Sequence, residues 1–283
     1  MIDLGAVQSF WGPKQDLAFI DSGVTDLVDF IDLMPSRYGQ LKPLAEGEGE
    51  GFFKTWKSGN ISIKGLQGFF FGTDSCVAIT EPGFSTAQGQ VAAASQIAKN
   101  LDAEFLILGS PSSRVLTSPM SELDIRSGYL ELARQAFDAG VSLLIENLPA
   151  SFDNHGLSSV HSLLALAHGS NGTIGQIGFC LDLGNHFSHH TEDKLQAFSE
   201  ARDLLETGFV KHIQINLLGL NSLAWCLDFL RNVVDESALN LGIAVEVPDA
   251  GFEISLSNLL EALKDLRPAL SSTSGPSSPE FAD

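Results

Sequence analysis

Residues 141–146 read VSLLIE, a short apolar run closed by a carboxylate. Preceded by Gly140 and followed within three residues by Pro149, it has the length and boundaries of a buried strand. The same kind of run recurs as IDLGAVQ at 2–8, LVDFIDL at 27–33, ISIKGLQGFFF at 61–71, EFLILG at 104–109, QIGFCLD at 176–182, VKHIQIN at 211–217 and LGIAVEV at 241–247. Between the runs, apolar residues fall at helical spacing over 14–22, part of 38–58, 86–101, 121–139, 157–169, 193–206, 222–235 and 255–266. Ser121, Thr191 and Ser255 stand where helices should start, and Gly23, Gly140 and Gly208 where they should end. Eight strand–helix units in this length predict an α/β fold, a (β/α)8 TIM barrel of roughly 250 residues. A doubly wound open sheet is the alternative.

The barrel domain is expected over 1–267, and PALSSTSGPSSPEFAD from Pro268 predicts a disordered tail over 268–283. The acidic GEGEG at 47–51 reads as a flexible loop or a lid.

Asp and Glu number 35 against 16 Lys and Arg, a net charge of −19, which works against binding a phosphate backbone. The three cysteines stand far apart with no CxxC pair, so neither a disulfide framework nor a cysteine zinc site is suggested. No signal-like N-terminus and no membrane-length apolar run is evident, and the expectation is a cytoplasmic protein without a membrane partner. No GxSxG elbow, P-loop or strand-following GxGxxG occurs.

In such a barrel the residues that do chemistry sit at the C-terminal ends of strands. Glu146 ends VSLLIE, Asp182 ends FCLD, Gln214 interrupts HIQIN, and Glu246 lies in IAVEV. Three carboxylates at one mouth are costly unless a cation compensates them, and they suit a hard divalent ion such as Mg2+ or Mn2+, with Co2+ or Zn2+ as alternatives. Glu146 and Glu246 are the candidates for proton transfer. His186 follows Asp182 closely enough to reach the site, whereas His189 and His190 read as solvated loop residues, in a histidine run of a kind that can also bind a metal adventitiously. His212 is in phase with Gln214 and reads as a packed histidine one layer below. Phe69, Phe70, Phe71 and Trp11 could wall a pocket or fill the core.

These strand ends resemble the xylose isomerase-like barrels, in the branch of sugar and sugar-phosphate isomerases and epimerases. The resemblance rests on FIDLMPSR at 30–37, GLQGFFFG at 65–72, LGSPSSR at 108–114, IENLP at 145–149, LDLGN at 181–185 and AVEV at 244–247. It implies a metal site of Glu146, Asp182, Gln214 and Glu246, with Glu146 and Glu246 exchanging a proton through an enediolate. It also implies a substrate site drawn from Asp32, Gln67, Ser110, Arg114, Asn147, Asn185 and His186, binding a small sugar or sugar phosphate, and homodimers are common among such barrels. Two departures stand out: Gln214 replaces a usual histidine, and Asp32 a usual glutamate. Gln offers a neutral oxygen in place of imidazole, which weakens the site or shifts it toward harder ions. A non-catalytic barrel that binds a ligand or partner is therefore the alternative function. Abasic-site endonucleases share the wider fold, but their histidine-rich zinc cage and phosphate tolerance do not match this acidic chain.

Overall fold

The computed structural model describes residues 2–48, 50–58, 61–79, 82–115, 122–152, 156–168, 177–190, 193–217, 222–234 and 241–271. Eight parallel strands run β1 Asp3–Val7, β2 Phe30–Leu33, β3 Ser62–Gln67, β4 Phe105–Leu108, β5 Ser142–Glu146, β6 Ile177–Asp182, β7 Val210–Asn216 and β8 Gly242–Glu246. They close in chain order, with Asp3 to Ala6 of β1 registered against Gly242 to Val245 of β8. That closing ladder excludes the open sheet.

Around the barrel lie α1 Asp16–Asp21, α2 Leu41–Pro43, α3 Glu50–Ser58, α4 Gly83–Leu101, α5 Glu122–Asp138, α6 Val160–His168, α7 Leu183–Ser188, α8 Lys194–Glu206, α9 Ser222–Val234 and α10 Phe252–Ser271. Because strand side chains alternate, one set faces these helices and the other faces the barrel axis. Ile31, Leu106, Ile145, Leu181, Ile213 and Val245 belong to the outer core with Ala94, Leu132, Leu163, Leu204 and Leu263 of the helices. Full burial of each such aliphatic side chain contributes roughly 1.5–3 kcal/mol. The inward set forms two small separate clusters, Val7 with Phe30 and Ala244, and Phe105 with Ile107, Leu144 and Cys180. Above these fillers the inward positions turn polar, and that change creates the site.

Four local expectations change. The run 61–71 ends as a strand at Gln67, because Gly68 takes φ 63°, where a Cβ would meet Met34 Cε at 2.5 Å. Phe69 and Phe70 then drop into the core, and Phe71 stays 49% exposed. GEGEG is not a loop in its described part: residues up to Glu48 close a helical turn kinked at Gly47, and α3 begins at Glu50. The stretch after Asp182, expected as a loop, is the short helix α7, which Asp182 caps through Asn185 N. Finally, α10 starts at Phe252 and continues through Pro268 to Ser271, while the remainder of the expected tail lies outside the described residues. Ser121 and Thr191 also lie outside them, and Asp193 caps α8 by accepting from Gln196 N at 2.9 Å.

Candidate active site

A cavity of about 200 Å3 opens among the C-terminal ends of the strands. Its polar lining is Gln67, Ser110, Glu146, Asn185, Asn216 and Glu246, and its apolar wall is Met34, Phe71, Leu148, Pro149 and Phe152. Sequence reasoning named all of the polar members as candidates except Asn216. Of the wall it named Phe71 alone, because exposure at a mouth has no signature in a single residue's type.

Glu146 and Glu246 reach this cavity from β5 and β8. Glu146 lies over the end of β4, where a Cβ on Gly109 would sit 2.2 Å from its Oε2. Its Oε1 accepts from Asn185 Nδ2 at 3.3 Å. Glu246 Oε2 accepts from Asn216 Nδ2 at 3.3 Å, across the β7–β8 register pair. One inward step below Asn216, Gln214 pairs with Asp182 across β6 and β7. Both are fully buried, and each carries an unpartnered oxygen, Asp182 Oδ2 and Gln214 Oε1. Gln214 Nε2 donates to Gln67 Oε1 at 2.8 Å. Asn147 is spent on β6, donating to Asp182 O at 2.9 Å and accepting from Asp182 N at 2.8 Å, so it positions Asp182 and does not line the cavity.

Burial raises the Glu146 carboxyl well above the usual range, with the charges of Asp182 and Glu246 adding to it and Arg114 opposing. Burial also raises Asp182, with Glu246 adding and the backbone N–H groups of Asn185, Asn216 and Gly184 opposing. Glu246 is pushed up to about 7 by burial and then by Asp32, against Arg37. Buried like charges resist joint ionisation, so the cluster can hold one carboxyl protonated while another is a base.

Besides Asn147, three more expected substrate contacts are placed elsewhere. Arg114 is 1% exposed and absent from the cavity lining. Its guanidinium donates to the carbonyls of Leu108 and Glu146, joining the ends of β4 and β5, and lies 5.8 Å from the Tyr129 ring. Asp32 is fully buried on the barrel axis, where Oδ2 meets His212 Nε2 at 2.7 Å. His212 packs between Phe30 and Phe105, as its phase with Gln214 implies. His186 is turned outward: its Nε2 donates to Ala197 O of α8 at 2.8 Å. The reason is α7, whose helical pitch sends Asn185 to the cavity and the next side chain toward the outer layer.

Among the described residues, one set of three His, Cys, Asp or Glu side chains brings a ligand atom each within 4.8 Å of the others: His186, His190 and Glu200. Glu146, Asp182 and Glu246 do not meet that span. No described helix is long and apolar enough to cross a membrane.

No protein-family model matches the sequence, and no curated protein matches it. Solved structures do resemble it. A D-tagatose 3-epimerase-like protein superposes with a TM-score of 0.70 at 13% identity, covering 97% of this chain and 100% of its own. The 3-keto-D-glucoside 4-epimerase of E. coli gives 0.67 at 14% identity, covering 95% and 100%. A family 2 AP endonuclease from Brucella melitensis gives 0.63 at 15% identity, covering 92% and 99%. At these identities the likeness is one of fold, a closed (β/α)8 barrel, and it extends over 92–97% of this chain.

Proposed function

We propose that this chain is an isomerase or epimerase of a small sugar, moving a proton at a carbon next to a carbonyl through an enediolate. The observation that carries the reading is the placement of two carboxyl groups, the buried Glu146 and the half-buried Glu246, on one small cavity from strands β5 and β8. One removes the proton and the other returns it. Return to the same carbon with inversion is epimerisation, and return to the neighbouring carbon is isomerisation. The sugar epimerases that share the fold support this reading by analogy.

Gln67, Ser110, Asn185 and Asn216 supply neutral donors and acceptors for hydroxyl groups, while Phe71, Leu148 and Phe152 shield the reacting carbon from water. Asn185 and Asn216 each touch one of the two carboxylates, so they also fix its orientation. The volume is below the roughly 300–1,000 Å3 of drug-sized ligand sites, which favours a single sugar unit. Among the described residues no cavity-lining side chain is cationic, and Arg114 is committed to main-chain carbonyls, so a free sugar suits the cavity better than a sugar phosphate.

The donor set fits a hard divalent cation, Mg2+ or Mn2+. Glu146, Asp182, Gln214 and Glu246 offer oxygens only, and the buried Asp182 Oδ2 and Gln214 Oε1 lack any other partner. When bound, such an ion supplies charge stabilisation at the carbonyl and hydroxyl oxygens of the substrate. The test is incubation of the protein with a panel of free ketoses and aldoses in deuterium oxide with Mg2+ or Mn2+. Deuterium uptake next to a carbonyl is expected with at least one sugar, and absence of uptake across the panel, with the fold intact, would favour a barrel that only binds.

A further inference from the structure

His186, His190 and Glu200 form a second cluster, on the outer layer where the end of α7 meets α8, built from residues that the mouth of the barrel does not use. We propose that this triad is a separate binding site for a borderline divalent cation, with Zn2+ as the best match.

The hydrogen bonds around the cluster are those of oriented ligands. His186 Nε2 faces the Ala197 carbonyl at 2.8 Å, and a carbonyl only accepts, so Nε2 carries the proton and Nδ1 carries a lone pair. A metal-binding imidazole is oriented in this way, with its other ring nitrogen donating to a backbone carbonyl. Glu200 is fixed in the same manner: Gln196 Nε2 donates to Oε1 at 2.8 Å, leaving Oε2 turned to His190 Nε2 at 3.1 Å. Metal–ligand legs of about 2.0–2.2 Å at a tetrahedral angle place donor atoms about 3.4 Å apart. The His190–Glu200 pair is already at that span, and an ion would replace the proton that bridges it. The third ligand atom lies within 4.8 Å of both, so closing the triad takes at most about 1.4 Å of side-chain movement.

Access and selectivity also fit. His186 is buried at the base, while His190 and Glu200 are partly exposed, with side chains 15% and 27% accessible. An ion therefore enters from solvent and finds two imidazoles and one carboxylate, with a fourth position for water. Two nitrogens and one oxygen favour Zn2+ over Mg2+, whereas the all-oxygen mouth has the opposite preference. Bound there, the ion would pin α7, and with it the Asp182 and Asn185 end of the site, to α8.

The full chain is freed of metal with a chelator and titrated with Zn2+ against a chromophoric competitor, alongside His190→Ala, Glu200→Gln and the mouth variant Glu246→Gln. Circular dichroism confirms that each is folded. The proposal expects tight zinc uptake by the parent and by Glu246→Gln, weakened at least about tenfold in both triad variants, with a zinc-dependent rise in Tm that the triad variants lose. Unchanged uptake in His190→Ala and Glu200→Gln, loss of uptake in Glu246→Gln, or no uptake by the parent at micromolar free zinc would each overturn it. A silent sugar-exchange assay would leave this result untouched, so the two readings fail separately.

Discussion

Gln214 Nε2 on β7 donates a 2.8 Å hydrogen bond to Gln67 Oε1 on β3, joining strands that stand opposite each other in the eight-stranded barrel. The bond fixes the Gln214 amide with its nitrogen committed and its oxygen, fully buried, without a partner. An amide held in this way presents one neutral oxygen ligand, the weakest member of the proposed cation set. Replacing it with imidazole, Gln214→His, is expected to tighten Co2+ binding at the mouth by about tenfold or more relative to Mn2+, because a nitrogen ligand favours the ion higher in the affinity order. Calorimetric titration checks this, and equal affinities would remove Gln214 from the site.

Gly109 leaves the space that the Glu146 carboxylate occupies, since a Cβ there would sit 2.2 Å from Oε2. The colliding atom is the end of a flexible side chain, so Gly109→Ala should fold normally and turn Glu146 aside. Turnover should fall on the order of 100-fold, as misplacement of a catalytic group by about 1 Å does. The contrast between a steep loss of kcat and a nearly unchanged Tm distinguishes this from general damage.

Arg114 donates to two strand-end carbonyls, Leu108 O and Glu146 O, from a side chain 1% exposed. Arg114→Met keeps the stem and removes the guanidinium nitrogen that donates to both carbonyls, at about 1–3 kcal/mol for each buried acceptor that loses it. Urea unfolding should show a loss of about 2–6 kcal/mol. A stable variant with only a raised KM would instead return Arg114 to the substrate.

Asp16, buried on α1, accepts from the Tyr38 hydroxyl at 2.8 and 2.9 Å, and Tyr38 in turn receives Gln8 Nε2 and Trp56 Nε1. Burial raises Asp16 from about 3.8 to about 6, against the hydrogen bond of Tyr38. A carboxyl raised by folding stabilises most when protonated in both states, below pH 3.8, and that contribution is lost as pH rises through about 6. Asp16→Asn should therefore remove part of the decline in Tm between these limits. The difference between the two profiles isolates this group, and parallel profiles would contradict the assignment.

The barrel was legible because its signal is periodic. Eight apolar runs separated by helical spacing survive errors of two or three residues at either end, and alternation within each run marks Glu146, Asp182, Gln214 and Glu246 as inward-facing. Phase, however, does not say what a side chain does once inside. Asp32 and Gln67 both follow strand periodicity, yet one is locked to His212 on the axis and the other lines the cavity. Nor does a strand-end position give direction. Arg114 and Asn147 turn back onto the main chain of neighbouring strands, contacts that separate residues by 32 and 35 positions and leave no local pattern. His186 was misplaced because α7, six residues long and begun by the capping Asp182, is too short to show a helical period. The Asp16–Tyr38–Gln8 network went unread for the same reason as Arg114: its partners meet only when the barrel closes.

The central claim, that Glu146 and Glu246 are the two proton-transfer groups of a sugar isomerase or epimerase, is tested most directly by hydrogen–deuterium exchange at the substrate's reacting carbon. The parent protein, Glu146→Gln and Glu246→Gln are each incubated with the accepted sugar in deuterium oxide and followed by NMR. The account predicts exchange coupled to turnover in the parent and loss of turnover in both variants. At least one variant should retain exchange without product, because the remaining carboxylate still removes and returns a proton on its own face. Turnover in Glu246→Gln at a rate near that of the parent would contradict it.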